Sequence, residues 1–392
     1  MIKKLFILAV VIFISGPLSA QSITEFLERV SENNPGITAY RKLLEARRAE
    51  ARTGNTPSDP FVSGGFMPGN SDAAGDKKTW SVSQSFDFPT KYLLQKKINN
   101  STILLAEQEF NLGRMNTLLE AELTLFDLIY NTKALDKLLE RKKGYEMLRS
   151  AWEKMLENGE ATIMDYNNIL LELSVVSLEI NRRESEREML MEKLNYMSGS
   201  DAGEIRYADY PVHTLPDLEL LITAKSEYHP AFLIPELEYS ISLQEFSLSR
   251  SAALPAFQVG YGSEIVAGTA YTGPVAGLSI PLWANSNRVR SASAAADYSA
   301  ALRDATVQKL KSETKNEYYN AMALQKSFYE IRELISSGGG TKYPDKALEA
   351  GEISVINYFA YLKVLYASED RLLELEKEYH KALAGLLDHK LL

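Results

Sequence analysis

The sequence predicts a mainly α-helical chain with a small β-sheet portion, built from two copies of one structural unit. Proline is absent from the intervals 90–210 and 282–343, which consist mostly of residues that favour helices. Two shorter segments alternate apolar and polar residues with the period of a β-strand. In addition, LENGEATIMDY at 156–166 recurs as LEAGEISVINY at 348–358. Together these observations indicate an elongated helical protein with an internal duplication.

The segment 1–20 has the features of a secretory signal peptide. Two lysines give it a basic start, residues 5–14 form a short apolar core, and the ending PLSA supplies small residues. The apolar core is too short for a spanning helix. We therefore expect an exported protein whose mature chain begins at Gln21.

The first repeat, 21–210, is expected to contain a helix, a β-hairpin at about 60–89, a long helix, the tip motif 156–166 and a returning helix. The long helix is predicted from Lys91 to Glu157, because apolar residues recur at helical spacing throughout this interval. A helix of that length spans roughly 100 Å. Such lengths are typical of coiled coils and helical tubes.

The first hairpin is predicted from the alternation in its second strand. The apolar positions Trp80, Val82, Phe86 and Phe88 alternate with Ser81, Ser83, Ser85 and Asp87. The stretch 68–78 is rich in glycine and aspartate and is expected to connect the two strands. If the apolar side of this strand faces lipid, the serines face the interior of a barrel.

The second repeat, 211–392, follows the same order, with a β-hairpin at about 255–283 and a long helix at about 287–334. The glycine-rich stretch 336–340 is expected to end that helix, and the segment around Tyr343-Pro344 to form a loop. The tip motif 348–358 and a returning helix complete the repeat.

A nearly constant shift relates the two repeats. Pro230 lies 195 positions after Pro35, and the second tip motif lies 192 positions after the first. A shift that drifts so slowly indicates duplication of a whole unit, since a solenoid would show a much shorter period.

Four strands are too few to close a transmembrane barrel, because the smallest single-chain barrels have about eight. An open sheet in lipid would leave the backbone groups of its edges unpaired. If the hairpins face lipid, several chains must therefore share one barrel. The alternative is a sheet that is half-buried against helices in a protein that does not cross a membrane. Aromatic residues near the expected strand ends, among them Trp80 and Trp283, favour the membrane.

The composition argues against several other classes of protein. The formal net charge of −9 is opposite in sign to that of a nucleic-acid binder. The chain has no cysteine, and its four histidines form no helical pair at metal-ligand spacing. We find no nucleophile–base constellation or phosphate-binding loop, so neither an enzyme nor a cofactor is predicted.

The stretches VAGLSIPLWANSNRVRSASAAA at 275–296 and VSQSFDFPTKYLLQKK at 82–97, with the two tip motifs, carry a family resemblance. The chain resembles the TolC family of outer-membrane efflux proteins, and more closely its shorter heavy-metal and multidrug efflux branch. The resemblance covers nearly all of the mature chain. The family's tip pattern, a glycine followed six residues later by an acidic residue, corresponds to Gly159 with Asp165 and to Gly351 with Asn357.

The resemblance implies a homotrimer in the outer membrane of a Gram-negative-type bacterium, extending into the periplasm. Each protomer would give four strands to a twelve-stranded barrel, and its long helices would form a coiled-coil tunnel. The implied function is a passive exit duct in a tripartite efflux or type I secretion system, which meets a periplasmic adaptor (membrane fusion) protein and an inner-membrane pump. The alternative function is a soluble periplasmic coiled-coil adaptor or scaffold.

Candidate site residues follow from the same reasoning. Candidates for the tip turns and for contact with the adaptor are Gly159, Glu160, Ile163, Gly351, Glu352 and Val355. Candidates for the lipid-facing or interfacial surface of the barrel are Trp80, Val82, Phe86, Phe88, Leu278, Ile280, Leu282 and Trp283.

Asp165 and Asn357 are candidates for the pore mouth or gate. One interpretation is that both residues only cap the first turn of a returning helix. The other is a polar ring in which three copies of Asp165 favour cations. Because the second repeat carries an amide at this position, we expect any acidic ring to come from the first repeat.

Overall fold

The computed structural model describes residues 23–71, 75–199, 209–283, 287–337 and 340–392, apart from the side chain of Val355. The predicted signal peptide at 1–20 lies outside the described residues.

The first part of the described chain has two helices before the hairpin, where one was expected, and then the long helix and the returning helix. Its elements are α1 Ile23–Asn33, α2 Pro35–Glu50, β1 Phe61–Met67, β2 Lys77–Phe86, α3 Pro89–Glu157 and α4 Ile163–Ser198. The second part repeats that order with one additional helix. Its elements are α5 Leu218–Tyr228, α6 Pro230–Ser251, β3 Ala256–Val266, β4 Thr269–Ser279, α7 Arg288–Ser337, α8 Lys342–Glu349 and α9 Val355–Leu386, followed by a 3₁₀ turn, Asp388–Leu391.

The long helices confirm the prediction from proline spacing and apolar periodicity. Helix α3 has 69 residues and begins at Pro89, since proline is well suited to the first position of a helix. Helix α7 has 50 residues and ends at Ser337, within the glycine-rich stretch 336–340. The expected loop around Tyr343-Pro344 is wrong. Pro344 lies in the first turn of α8, where its missing N–H has no helical partner to lose.

The four strands form one antiparallel sheet in the order β1-β2-β3-β4. Strands β3 and β4 are joined by Ala267 and Gly268, which have φ of 47° and 84°. Two consecutive positive φ values give the tight turn that matches the twist of a hairpin. The two predicted hairpins therefore lie side by side, joined by pairing between β2 and β3.

The described chain divides into two compact units that cut across the predicted repeats. One unit comprises Ala121–His213 and Ile331–His380 with the described residues up to Asn34, and the other comprises Pro35–Glu120, Thr214–Glu330 and Lys381–Leu392. Each unit draws residues from both halves of the sequence. The compact units are therefore not the two repeats, and the boundary between the repeats at 210/211 remains a prediction.

The first unit contains a hydrophobic cluster of coiled-coil type. Leu135, Leu138 and Tyr145 on α3 are buried with Val176 and Ile180 on α4. The spacing of three and then seven residues on α3 is that of a coiled-coil seam. Among the described helices, none combines the length and apolarity that crossing a bilayer requires.

Candidate functional site

The first tip is the turn between α3 and α4. Gly159 has φ of 75°, in the left-handed region that glycine enters without a Cβ clash. Its amide donates to the carbonyl of Leu156 at 3.1 Å, and the amide of Glu160 donates to that of Met155 at 2.8 Å. These two bonds form a Schellman motif, which satisfies carbonyl groups at the end of α3.

The second tip, between α8 and α9, repeats this geometry. Gly351 has φ of 72°. Its amide donates to the carbonyl of Leu348 at 3.0 Å, and the amide of Glu352 donates to that of Ala347 at 2.8 Å. Every partner lies 192 positions after its counterpart in the first tip. The sequence repeat therefore encodes one backbone turn made twice.

A hydroxyl group begins each helix that leaves a tip. Thr162 Oγ1 accepts from the amide of Asp165 at 3.2 Å, and Ser354 Oγ accepts from the amide of Asn357 at 3.3 Å. The Thr162 hydroxyl also donates to the Asp165 carboxylate at 2.6 Å. Asp165 and Asn357 thus occupy the third helical position, and Thr162 and Ser354 are the caps. Neither hydroxyl residue was among the sequence candidates, although a hydroxyl residue three positions before an acidic or amide residue is a known capping signal.

The tip candidates lie on the surface. Gly159, Glu160, Ile163, Gly351, Glu352 and Asn357 are exposed, and Asp165 is partly buried. Val355 is the first residue of α9, and its side chain lies outside the described residues. The surface of the tips therefore consists mainly of turn backbone, carboxylates and apolar side chains, among them Ile163, Met164 and Ile356.

Two tyrosines of α9 hold the short helix α8 in place. The Tyr358 hydroxyl donates to the Asp345 carboxylate at 2.8 Å, and the Tyr361 hydroxyl donates to the carbonyl of Gly340 at 3.0 Å. Burial, together with the bond to Asp345, raises the pKa of Tyr358 above its usual range. Tyr358 therefore keeps its proton and remains a hydrogen-bond donor.

A buried arginine links the first repeat to the second within one compact unit. Arg141 on α3 is 7% exposed, and its guanidinium donates to both carboxylate oxygens of Asp370 on α9, at 2.7 and 3.0 Å. It also donates to Glu369 at 3.2 Å and lies 4.4 Å from the centre of the Tyr366 ring. A forked arginine–carboxylate pair fixes orientation as well as charge. This pair could not be inferred from a local sequence pattern, because its members are 229 positions apart.

One face of the sheet carries small polar residues. Ser63 and Ser81 on paired strands are joined through their hydroxyls at 2.8 Å, and Gln258 donates to Ser83 Oγ at 2.9 Å. The cross-strand pairing places Gly260 and Gly262 on the same face. The serines that the alternation predicts on one face of the strand therefore do lie on one face of the sheet.

The opposite face is apolar and exposed. Pairing places Trp80, Val82, Phe86 and Leu278 on this face, with Val259 and Tyr261 between them. Val259 is 52% exposed and Leu278 is 64% exposed. These values contradict the alternative of a sheet half-buried against helices in the single chain. Covering this face requires lipid or another apolar surface.

The remaining barrel candidates lie beyond the strands or away from strand ends. Phe88 follows β2 and packs near Phe257, with ring centres 6.0 Å apart. Ile280, Leu282 and Trp283 follow β4 and are exposed. Trp80 lies inside β2 rather than near its end, and its ring is tilted against Tyr261 with centres 6.2 Å apart. The expected position of Trp80 near a strand end is therefore wrong.

Among the described residues, no group of three or more histidine, aspartate or glutamate side chains is arranged to hold a metal ion. The polar residues of the site form bonds within the protein and shape its turns.

Solved structures share this fold over nearly the whole chain, although no protein-family model and no curated protein matches the sequence. CusC, described with the conformational changes that accompany folding and transmembrane channel formation, is 14% identical with a TM-score of 0.78, and the match covers 94% of this chain and 91% of CusC. The CmeC outer membrane channel of Campylobacter jejuni is 13% identical with a TM-score of 0.74, covering 94% and 85%. The open MtrE outer membrane channel of Neisseria gonorrhoeae is 11% identical with a TM-score of 0.76, covering 94% and 88%.

These neighbours are TolC-family outer-membrane efflux channels. The chain therefore has a TolC-like fold, with long helices and four strands of barrel type, as the sequence resemblance predicts. The single chain presents its four strands as an open sheet.

Proposed function

We propose that the chain is one protomer of a homotrimeric outer-membrane duct, a passive exit for substrates. The observation that carries this proposal is the sheet, which has an exposed apolar face, a polar face and two unpaired edges, β1 and β4. A lipid-facing sheet must satisfy its edge backbone groups. Three copies would do so by pairing β4 of one chain with β1 of the next, giving twelve strands.

The faces of the sheet suit that arrangement. In a closed barrel the apolar side meets lipid and the polar side lines the interior. Here the interior side would carry serines, glycines and Gln258 in its central strands, together with larger side chains such as Phe61, Tyr271 and Val275 on the outer strands. The similar channels support the same location, and the predicted signal peptide at 1–20 would export the chain.

The duct would work with a periplasmic adaptor and an inner-membrane pump, whereas the chain itself would perform no chemistry. The two tip turns are the proposed contact surface for the adaptor, since their backbone geometry is duplicated and their residues are exposed. In a trimer, six such turns would surround one opening. The proposed gate contribution of Asp165 would come from three of them.

Two adjacent substitutions on opposite faces test the membrane proposal. Val82 lies on the apolar face and Ser83 on the polar face of the same strand. Val82→Asp places a charge against lipid, which destabilises a barrel most near the bilayer midplane, whereas Ser83→Asp faces water. We expect the wild type and Ser83→Asp to fractionate with outer membranes as heat-modifiable oligomers that conduct ions in planar bilayers.

We expect Val82→Asp to be depleted from that fraction. Recovery of the wild type in the soluble periplasmic fraction, without a heat-modifiable oligomer, would overturn the proposal in favour of a periplasmic adaptor or scaffold. Equal behaviour of the two variants in membranes would show that the apolar face does not meet lipid.

A further inference from the structure

One compact unit encloses a cleft of about 1110 Å³ between α3, the start of α4, α8 and α9. All of its lining residues belong to that unit. The volume is slightly above the usual range of sites that hold small organic molecules, about 300–1,000 Å³. The cleft lies beside the tips, but its lining differs chemically from their exposed surface.

The walls of the cleft are largely aromatic and aliphatic. Tyr145, Trp152, Tyr358 and Tyr366 contribute rings, and Met147 and Leu362 are among the aliphatic residues. Tyr145 is stacked on Phe359 with ring centres 6.1 Å apart and planes 13° apart. Aromatic faces attract organic cations through the ring quadrupole. The guanidinium of Arg141 already makes such an interaction, because it lies 4.4 Å from the centre of the Tyr366 ring.

The charge of the lining is negative. Its charged residues are Lys137, Glu140, Arg141, Asp165, Asp345, Glu349 and Glu369. Lys137 is paired with Glu140 at 3.0 Å, and Arg141 is paired with Glu369 and Asp370. Both cations of the lining are therefore neutralised by partners, while Asp165, Asp345 and Glu349 add further carboxylates. An apolar, aromatic site with excess negative charge complements a positively charged organic molecule.

We propose that this cleft binds an amphiphilic organic cation, in which a positive centre carries aromatic or aliphatic groups. The apolar groups would contact Tyr145, Trp152 and Leu362, and the positive centre would face Asp345 and Glu349. The proposal concerns a binding site within a single protomer. It does not depend on the chain acting as a duct.

The chain offers a built-in reporter for this site. It contains three tryptophans, and Trp152 is the one in the cleft lining. The double variant Trp80→Phe, Trp283→Phe leaves Trp152 as the only tryptophan. Titrating this protein, purified in a non-ionic detergent, with tetraphenylphosphonium is expected to change Trp152 emission in a saturable way. Equilibrium dialysis on the same samples measures the bound probe directly.

Tetraphenylborate is the matched control probe, because it has the same shape and apolar surface and the opposite charge. We expect it to bind at least tenfold more weakly, corrected for protein-free micelles. Asp345→Asn and Glu349→Gln, which keep polar groups of the same size, should each weaken tetraphenylphosphonium binding roughly threefold. Glu153→Gln removes the same charge next to Trp152 at an exposed position outside the lining, and it should leave binding unchanged.

Saturable binding of the cation with this pattern of variants supports the site. Three results would overturn it: no saturable change in Trp152 emission, equal binding of the two probes, or equal effects of Glu153→Gln and Glu349→Gln. The electrophoretic mobility and circular dichroism of every variant are compared with the wild type, so that loss of fold is distinguished from loss of binding.

Discussion

The two tips of the chain share their backbone geometry and differ in what supports them. Gly159 and Gly351 have φ of 75° and 72° and form corresponding hydrogen bonds. The first tip ends a continuous helix of 69 residues. The second tip follows α8, a helix of eight residues that Tyr358 ties to α9 through Asp345.

A second pair of corresponding positions differs in its hydrogen-bond partners. Asn34 precedes the proline that begins α2, and its amide donates to the carbonyl of Met197 near the end of α4 at 2.8 Å. His229 precedes the proline that begins α6, and it bonds Asp388 just after α9 at 3.2 Å. Lys225, also buried, pairs with Asp388 at 3.0 Å. The first repeat thus uses a neutral amide where the second uses a buried cluster that contains Lys225 and Asp388.

The two pairs of positions show which features the two repeats have in common and which differ. The glycines with positive φ and the hydroxyl caps of the tips are kept in both repeats. The residue before the proline that begins a helix has changed from asparagine to histidine, and its partner has changed from a backbone carbonyl to a buried carboxylate. The following predictions test that division, from the largest expected effect to the smallest.

The charged cluster around Asp388 should contribute more to the free energy of unfolding than the neutral hydrogen bond of Asn34. Asp388→Ala leaves the buried Lys225 without its carboxylate, which costs about 3–5 kcal/mol. Asn34→Ala removes a neutral hydrogen bond and should cost about 1–2 kcal/mol. Urea unfolding at neutral pH measures both free energies. Equal losses would contradict the contrast between the repeats.

The same cluster should respond to acid. Burial favours the neutral form of Asp388, but the hydrogen bond from His229 and the charge of Lys225 lower its pKa below the usual value. Because the folded carboxyl holds its proton less tightly than the unfolded one, the stabilisation is present above about pH 4 and is lost as the pH falls below that value. The difference in the free energy of unfolding between the wild type and Asp388→Asn should therefore disappear in this acid range.

A buried acid of the first repeat should show the opposite pH dependence. Burial raises the pKa of Glu122 to about 7. The folded pKa exceeds the unfolded one, so stability is lost as the pH rises from about 4.5 towards 7. We expect Glu122→Gln to be more stable than the wild type at pH 8 by roughly 2–3 kcal/mol and close to it at pH 4. The exposed Glu120→Gln is the control, and parallel pH profiles of Glu122→Gln and the wild type would refute the prediction.

The two glycines should have equal importance. A Cβ at Gly159 or Gly351 meets no atom within 4 Å, so alanine is penalised only by the positive φ. We expect each alanine variant to lose about 1–2 kcal/mol. Asparagine, which tolerates this conformation, should lose less at both positions. A clear difference between Gly159→Ala and Gly351→Ala in thermal unfolding would show that the turns are not equivalent.

Exchanging the polar residues of the tips should have the smallest effect on stability. Asp165→Asn and Asn357→Asp keep a hydrogen-bonding side chain at the third helical position, and each should change stability by less than about 0.5 kcal/mol. If Asp165 forms an acidic ring in the proposed duct, Asp165→Asn lowers cation selectivity in planar bilayers and Asn357→Asp raises it. Unchanged selectivity in both variants would leave Asp165 with a role in helix capping alone.

Periodicity and repetition predicted the fold well, because they act locally. The span of α3 and both hairpins follow from residue spacing within each segment. Helix α8 was missed because Gly340 and Pro344 are turn signals on local criteria, while bonds from Tyr358 and Tyr361 on another helix stabilise it. Trp80 was placed too near a strand end because alternation fixes the face of a residue but not the ends of its strand.

The polar contacts of the site were predicted less completely. The glycine turns could be inferred from sequence, and Thr162 and Ser354 could have been found from their capping pattern. The pairs Arg141–Asp370 and His229–Asp388 join residues more than a hundred positions apart, and no pattern within one segment records them. The cleft is likewise assembled from four helices.

Cysteine cross-linking between the sheet edges tests the proposed shared barrel most directly. The chain has no cysteine, so an introduced pair can react only with itself or its copies. Strands β1 and β4 are separated by two strands, roughly 14 Å, which is beyond disulfide reach within one chain. Ser63→Cys would be combined in turn with cysteine at Tyr271, Gly273, Val275 or Gly277, which lie on the same face of the sheet.

In at least one of these four pairings we predict oxidation to covalent dimers and trimers, with the trimer as the largest species and reduction restoring the monomer. Absence of covalent oligomers in every pairing, or a ladder that continues beyond the trimer, would contradict a barrel shared by three chains.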